Sequence, residues 1–99
     1  MAKVIGHERG MGTISRIFFE SGDTGFHSIL LTLQGSTRLI KAGIKEVDNL
    51  TSLKLSKSGD EVRFVLRLQK SFMMGEHAEL IEFTNLTLNK ELDGVPRAD

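Results

Sequence analysis

Apolar and polar side chains alternate with a period of two along most of this chain. Ile29, Leu31 and Leu33 share one face, and Leu30, Thr32 and Gln34 the other. The cleanest run is Glu61 to Gln69. There Val62, Phe64, Leu66 and Leu68 oppose Arg63, Val65, Arg67 and Gln69. No stretch carries the three-and-four spacing of an amphipathic helix of ten or more residues. The pattern predicts strands throughout.

Turn residues divide the pattern into elements. Gly12 to Leu33 reads as a β-hairpin bent at Ser21-Gly22-Asp23-Thr24-Gly25. After a turn at Gln34-Gly35-Ser36-Thr37, residues Arg38 to Ile44 form a third strand. Lys45 to Asn49 breaks the alternation, and a single helical turn is expected there. Thr51 to Ser56 alternates again, with Leu53 and Leu55 on one face. Lys57-Ser58-Gly59-Asp60 is a second turn, Ser71 to His77 a loop, and Ala78 to Leu88 a last strand. The period of that last strand slips, which predicts a bulge near Thr84-Asn85. Residues 1–11 are an arm or edge strand, 12–88 a single β-barrel domain and 89–99 a mobile tail. Five or six strands at this spacing imply an all-β sandwich or small barrel with at most one short helix. A barrel is favoured because closure removes exposed strand edges.

Composition narrows the function classes. Ninety-nine residues suffice for one core but not two. Thirteen basic and thirteen acidic side chains cancel, so bulk charge draws in no polyanion and any such binding needs a local patch. Cysteine is absent, which excludes disulfide and thiolate–metal frameworks. No run approaches the roughly 20 apolar residues of a membrane span, and the first residues lack a signal-peptide core. A cytoplasmic protein without membrane contact is expected.

The chemistry-bearing residues do not assemble into an enzyme. His7, His27 and His77 lie far apart, without partners at metal-ligand spacing. Serine never occurs in a nucleophile elbow. Gly6, Gly10 and Gly12 lack the strand and helix that flank a phosphate loop. No catalytic residue, metal or cofactor is expected.

Binding is a better prospect. Arg63 and Arg67 flank Val65 on the polar side of the best strand, and Arg16, Arg38 and Lys41 join them if the sheet curls. Such a face holds a phosphate backbone, with exposed rings stacking on bases. Phe18 and Phe19 are consecutive, so on a regular strand one ring points outward. Phe19 and Phe26 are the candidate stacking residues. The plainer alternative is that the cations are ordinary outer residues and the rings are buried or paired in a dimer. Phe72-Met73-Met74 is a second apolar cluster suited to adaptable contacts.

Gly12-Thr13-Ile14 opening one strand, Thr24-Gly25-Phe26 opening the next, and the Leu53 to Phe64 run with its Gly59-Asp60 turn resemble the cold-shock domain. More broadly, residues 12–84 resemble OB-fold modules. Ser58 to Phe64 is similar to the entry into that family's late strands, and Gly75 with Ala78 to its closing loop and strand. The resemblance implies a Greek-key barrel binding single-stranded DNA or RNA on the faces of its second and third strands. Arg16 stands where the family carries a tryptophan, and Phe26 is the matched stacking residue. The leading expectation is single-stranded nucleic-acid binding with little base specificity through Arg16, Phe19, Phe26, Arg38, Lys41, Arg63 and Arg67. The rival is a protein–protein module that forms a homo-oligomer or serves as an accessory subunit of a larger complex.

Overall fold

The computed structural model describes residues 3–21, 27–44, 50–73 and 75–93. Five strands, β1 (Lys3–Ser21), β2 (His27–Leu33), β3 (Ile40–Gly43), β4 (Glu61–Ser71) and β5 (Gly75–Asn85), carry most of it. Two short helices complete the order: α1 (Leu50–Leu55) between β3 and β4, and α2 (Leu86–Asp93) after β5. The strands close into a ring in the order β1-β2-β3-β5-β4. All neighbours are antiparallel except β3 and β5, which meet in parallel at Gly43 and Glu79.

The alternation explains the interior. Ile29 and Leu31 of β2, Ile40 and Ala42 of β3, and Val62, Phe64 and Leu66 of β4 all turn inward and are buried. Ile14, Leu80 and Phe83 join them, and Leu53 of α1 packs into the same core. Gly10 faces inward opposite Phe64, where a Cβ would lie 2.3 Å from the ring. The ring takes the volume a side chain would occupy.

β1 is long enough to serve two neighbours. Residues 3–13 pair with β4, and residues 14–21 with β2. β5 meets β3 only at Glu79, so the far ends of β1, β4 and β5 form an arm beyond the ring. The principal-axis extents are 54 × 30 × 25 Å. The turns fall where the glycines predict them. Gly35 (φ 79°) follows the end of β2, and Gly59 (φ 95°) sits in the Lys57–Asp60 turn, a backbone region that glycine enters without a Cβ penalty.

Three sequence expectations need correction. Thr51 to Ser56 is not a strand: α1 covers Leu50–Leu55, burying Leu53 and leaving Leu55 61% exposed. A period of two in so short a stretch also fits one helical turn with a single inward residue. The last strand ends at Asn85, not Leu88, and α2 runs from Leu86 to Asp93, where the tail was expected from residue 89. Among the described residues there are thus two helices, not one at most. Finally, the slip in β5 comes from Ile81, because Val65 faces Glu82 while Leu66 faces Leu80. The extra residue lets both Leu80 and Phe83 reach the core. The helical turn expected at Lys45 to Asn49 lies outside the described residues.

Asn85 is where the chain changes from strand to helix. Its Oδ1 accepts from the backbone N–H of Leu88 at 2.8 Å, capping α2. Its Nδ2 donates to Ser56 Oγ at 3.0 Å and to Asp60 Oδ2 at 2.9 Å, and all three residues are buried. Asp60 Oδ2 also accepts from the backbone N–H of Lys57, and Ser56 Oγ donates to the Ser52 carbonyl. One amide therefore fastens α1, the Gly59 turn and α2 together.

Candidate nucleic-acid interface

Cross-strand register sorts the outward side chains into two faces. On the first, β1 presents Arg16, Phe18 and Glu20 opposite Thr32, Leu30 and Ser28 of β2. β3 extends the rows, with Lys41 opposite Leu30. Phe18, Leu30 and Lys41 thus lie in one row across three strands, and Arg16 lies two residues along β1 on the same face. Phe18 is 57% exposed, and Arg16 and Lys41 are exposed as well. Lys41 Nζ is 4.0 Å from Glu20 Oε2, a loose surface pair that leaves its head in water. A bulge after Ile14 sets this register, and beside it Ser15 Oγ and Thr32 Oγ1 lie 2.8 Å apart.

Phe19 does not share this face. It pairs with buried Ile29, so its ring is on the core side near the end of the ring, 42% exposed. The outward ring is Phe18, the other member of the consecutive pair from which the sequence reading chose Phe19. The signal was available: Ile17 and Phe19 keep step with the inward set, and Phe18 does not. Phe26 lies outside the described residues.

The remaining predicted cations are elsewhere. Arg63 faces outward on β4, between Met11 of β1 and Thr84 of β5. Arg67 sits on the same side, half-buried between His7 and Glu79, and is not a free cation. Beside it the Glu79 carboxylate lies against Gly43, where a Cβ would come within 2.6 Å of Oε2. Arg38, in the segment between β2 and β3, makes a two-pronged pair with Glu8, with Nη2 donating to Oε2 at 2.9 Å and Nη1 to Oε1. These bonds hold the Glu8 carboxyl below its ordinary range and push the Arg38 guanidinium further up. The structure therefore brings together Arg16 and Lys41, puts Arg63 and Arg67 on the second face, and commits Arg38 to the β1 arm.

No protein-family model, curated protein or solved structure matches the chain. The residues alone must supply its chemistry. Among the described residues no group of three or more histidine, aspartate or glutamate side chains is placed to hold a metal, and no helix is long and apolar enough to cross a membrane.

The Arg38–Glu8 pair gives a sign-definite prediction. A carboxyl whose folded pKa is lowered contributes stability above its unfolded pKa and loses it as pH falls through the folded value. Arg38→Ala should therefore cost up to about 1 kcal/mol at pH 7, since the pair is solvent-screened, with the difference from wild type closing as Glu8 protonates. Urea melts at neutral and strongly acidic pH measure this. Oligonucleotide affinity should not change, because the guanidinium is already engaged.

Proposed function

We propose that this chain binds single-stranded nucleic acid, with little base specificity, on the outer face of β1, β2 and β3. One observation carries the reading: an exposed ring, Phe18, shares that face with two accessible cations, Arg16 and Lys41. A ring accepts any base by stacking, and the cations meet the phosphates on either side. The spatial order β4-β1-β2-β3, antiparallel throughout, supports a Greek-key, OB-like reading of the ring, whose second and third strands bind single strands in that family. The neutral net charge favours modest affinity. The reading needs no cofactor and assigns no catalytic group.

Fluorescence anisotropy with labelled oligonucleotides at a series of salt concentrations tests it. For an oligonucleotide short enough to occupy this face alone, two phosphate contacts predict a log–log salt slope of about −1.4, at about −0.7 per contact for single strands. Unrelated sequences should bind about equally. No binding at low salt would sink the reading.

A second reading has its own observation. Phe72 and Met73, at the turn between β4 and β5, are 98% and 90% exposed. Val4 and Ile5, each 48% exposed, lie at the same end of the arm, since Val4 pairs with Gln69. An apolar tip of this kind suits a protein–protein contact, either in a homo-oligomer or on a larger complex. Light scattering that gives a stable dimer, together with silent anisotropy, would favour it.

A further inference from the structure

The second outer face carries a groove that the binding face above does not use. It encloses about 770 Å³ and is lined by Arg9 and Met11 of β1, Arg63 and Val65 of β4, and Ile81 and Glu82 of β5, among others. Ile81, the extra residue of the β5 bulge, lies in its wall. Arg9 and Arg63 are both exposed and form no ion pair among the described residues, and Met11 is 69% exposed. Two open guanidinium groups beside a soft apolar side chain match a phosphate–base repeat better than they match a neutral ligand. Among the described residues Glu82 is the one carboxylate lining the groove, so their local balance is positive.

The groove and the Phe18 face lie on one strand. Along β1 the outward positions run His7, Arg9, Met11, Thr13, then Arg16 and Phe18 past the bulge. Cation and apolar group recur together, Arg9 with Met11 and Arg16 with Phe18. The intervening stretch is passable. Thr13 faces Glu61, whose carboxylate has Lys90 Nζ at 3.9 Å.

We propose that a bound single strand runs along β1, from the Phe18 face into the Arg9–Met11–Arg63 groove, so that one molecule holds two successive segments of the same strand. The proposal rests on the function read above. Met11 and Phe18 are seven residues apart, or about 23 Å at about 3.3 Å per residue. A single strand that keeps the stacked duplex rise of about 3.4 Å covers that distance in about seven nucleotides, and a more extended strand in fewer. Short oligonucleotides therefore fill the Phe18 face alone, and only longer ones reach the groove.

The test is anisotropy with thymidine oligomers of about 4 and about 15 nucleotides, within the range one such domain covers. Arg9→Ala/Arg63→Ala should weaken the long oligomer about tenfold and reduce its salt slope by about 1.4, while leaving the short one within about twofold. Glu82→Gln should strengthen the long oligomer only. These positions are exposed, so both variants should keep wild-type unfolding curves. Equal effects on short and long oligomers, or none on the long, would overturn the path and leave the Phe18 face standing. Failure of wild type to bind either oligomer would overturn the binding reading, and the path with it.

Discussion

Asn85→Ala is expected to remove about 2–4 kcal/mol of stability, more than any surface change in this protein. The cap on α2 accounts for about 1 kcal/mol of that. The rest arises because Asp60 and Ser56 stay buried after their shared donor is gone, and leaving buried polar groups short of partners costs about 1–3 kcal/mol. Typical domain stability is about 5–15 kcal/mol, so the loss is a large part of the total. In a domain of this size it lowers the melting temperature by about 10–25 °C. Urea and thermal melts measure it directly. A loss below about 0.5 kcal/mol would mean that water replaces the amide and that the three elements are not fastened through it.

Asn85→Asp separates the two jobs of this side chain. The introduced carboxyl keeps an oxygen for the Leu88 N–H but places a second acid against Asp60, where the amide donated at 2.9 Å. Two carboxyls at that distance do not both ionise without cost, so the pair retains a proton to higher pH than it does in the unfolded chain. A folded pKa raised in this way gives stability that is present at low pH and lost as pH rises through it. The variant should therefore be weakest relative to wild type near neutral pH and recover in acid, when the shared proton takes the place of the amide donor.

How much of this was legible beforehand depended on the length over which each pattern repeats. Val62, Phe64, Leu66 and Leu68 announce β4 because four successive inward positions leave no other period. The same reading sorts Arg63 and Arg67 together. Leu53 and Leu55 offer only two points, and two points fit a strand or a turn of helix equally well. At Asn85 a local signal competed with a regional one. An asparagine before Leu86-Thr87-Leu88 is a good helix cap, yet the leucines also continue the β alternation, and the buried partners that decide the matter lie 25 and 29 residues away. The cations show the same limit. Sequence assigns each to the outer side of a strand, but which outer side depends on how β1 divides itself between β4 and β2. Arg38 could not be placed at all from the pattern, because its partner Glu8 lies 30 residues earlier.

The choice between Phe18 and Phe19 turns this division into a binding result. Phe18→Ala is expected to weaken single-stranded oligonucleotide binding by about 5- to 150-fold, since losing one stacked base costs about 1–3 kcal/mol and 1.4 kcal/mol is a factor of ten. Stability should fall little, because the ring is 57% exposed and loses only its row with Leu30. Phe19→Ala should do the reverse. It removes a ring from the core side opposite Ile29, which lowers stability, and leaves affinity within about twofold. Phe18→Tyr keeps a stacking surface and should bind nearly as wild type does. Titrations and urea melts on the three variants separate a ring that meets a base from a ring that packs. If Phe19→Ala loses affinity while Phe18→Ala does not, the strand contacts the end of the ring and not its β1–β2–β3 wall. If neither ring matters while Arg16→Ala/Lys41→Ala abolishes the salt dependence, the face holds phosphates without stacking. Affinity then rests on charge alone and should vanish near 1 M salt, where the screening length shrinks to about 3 Å.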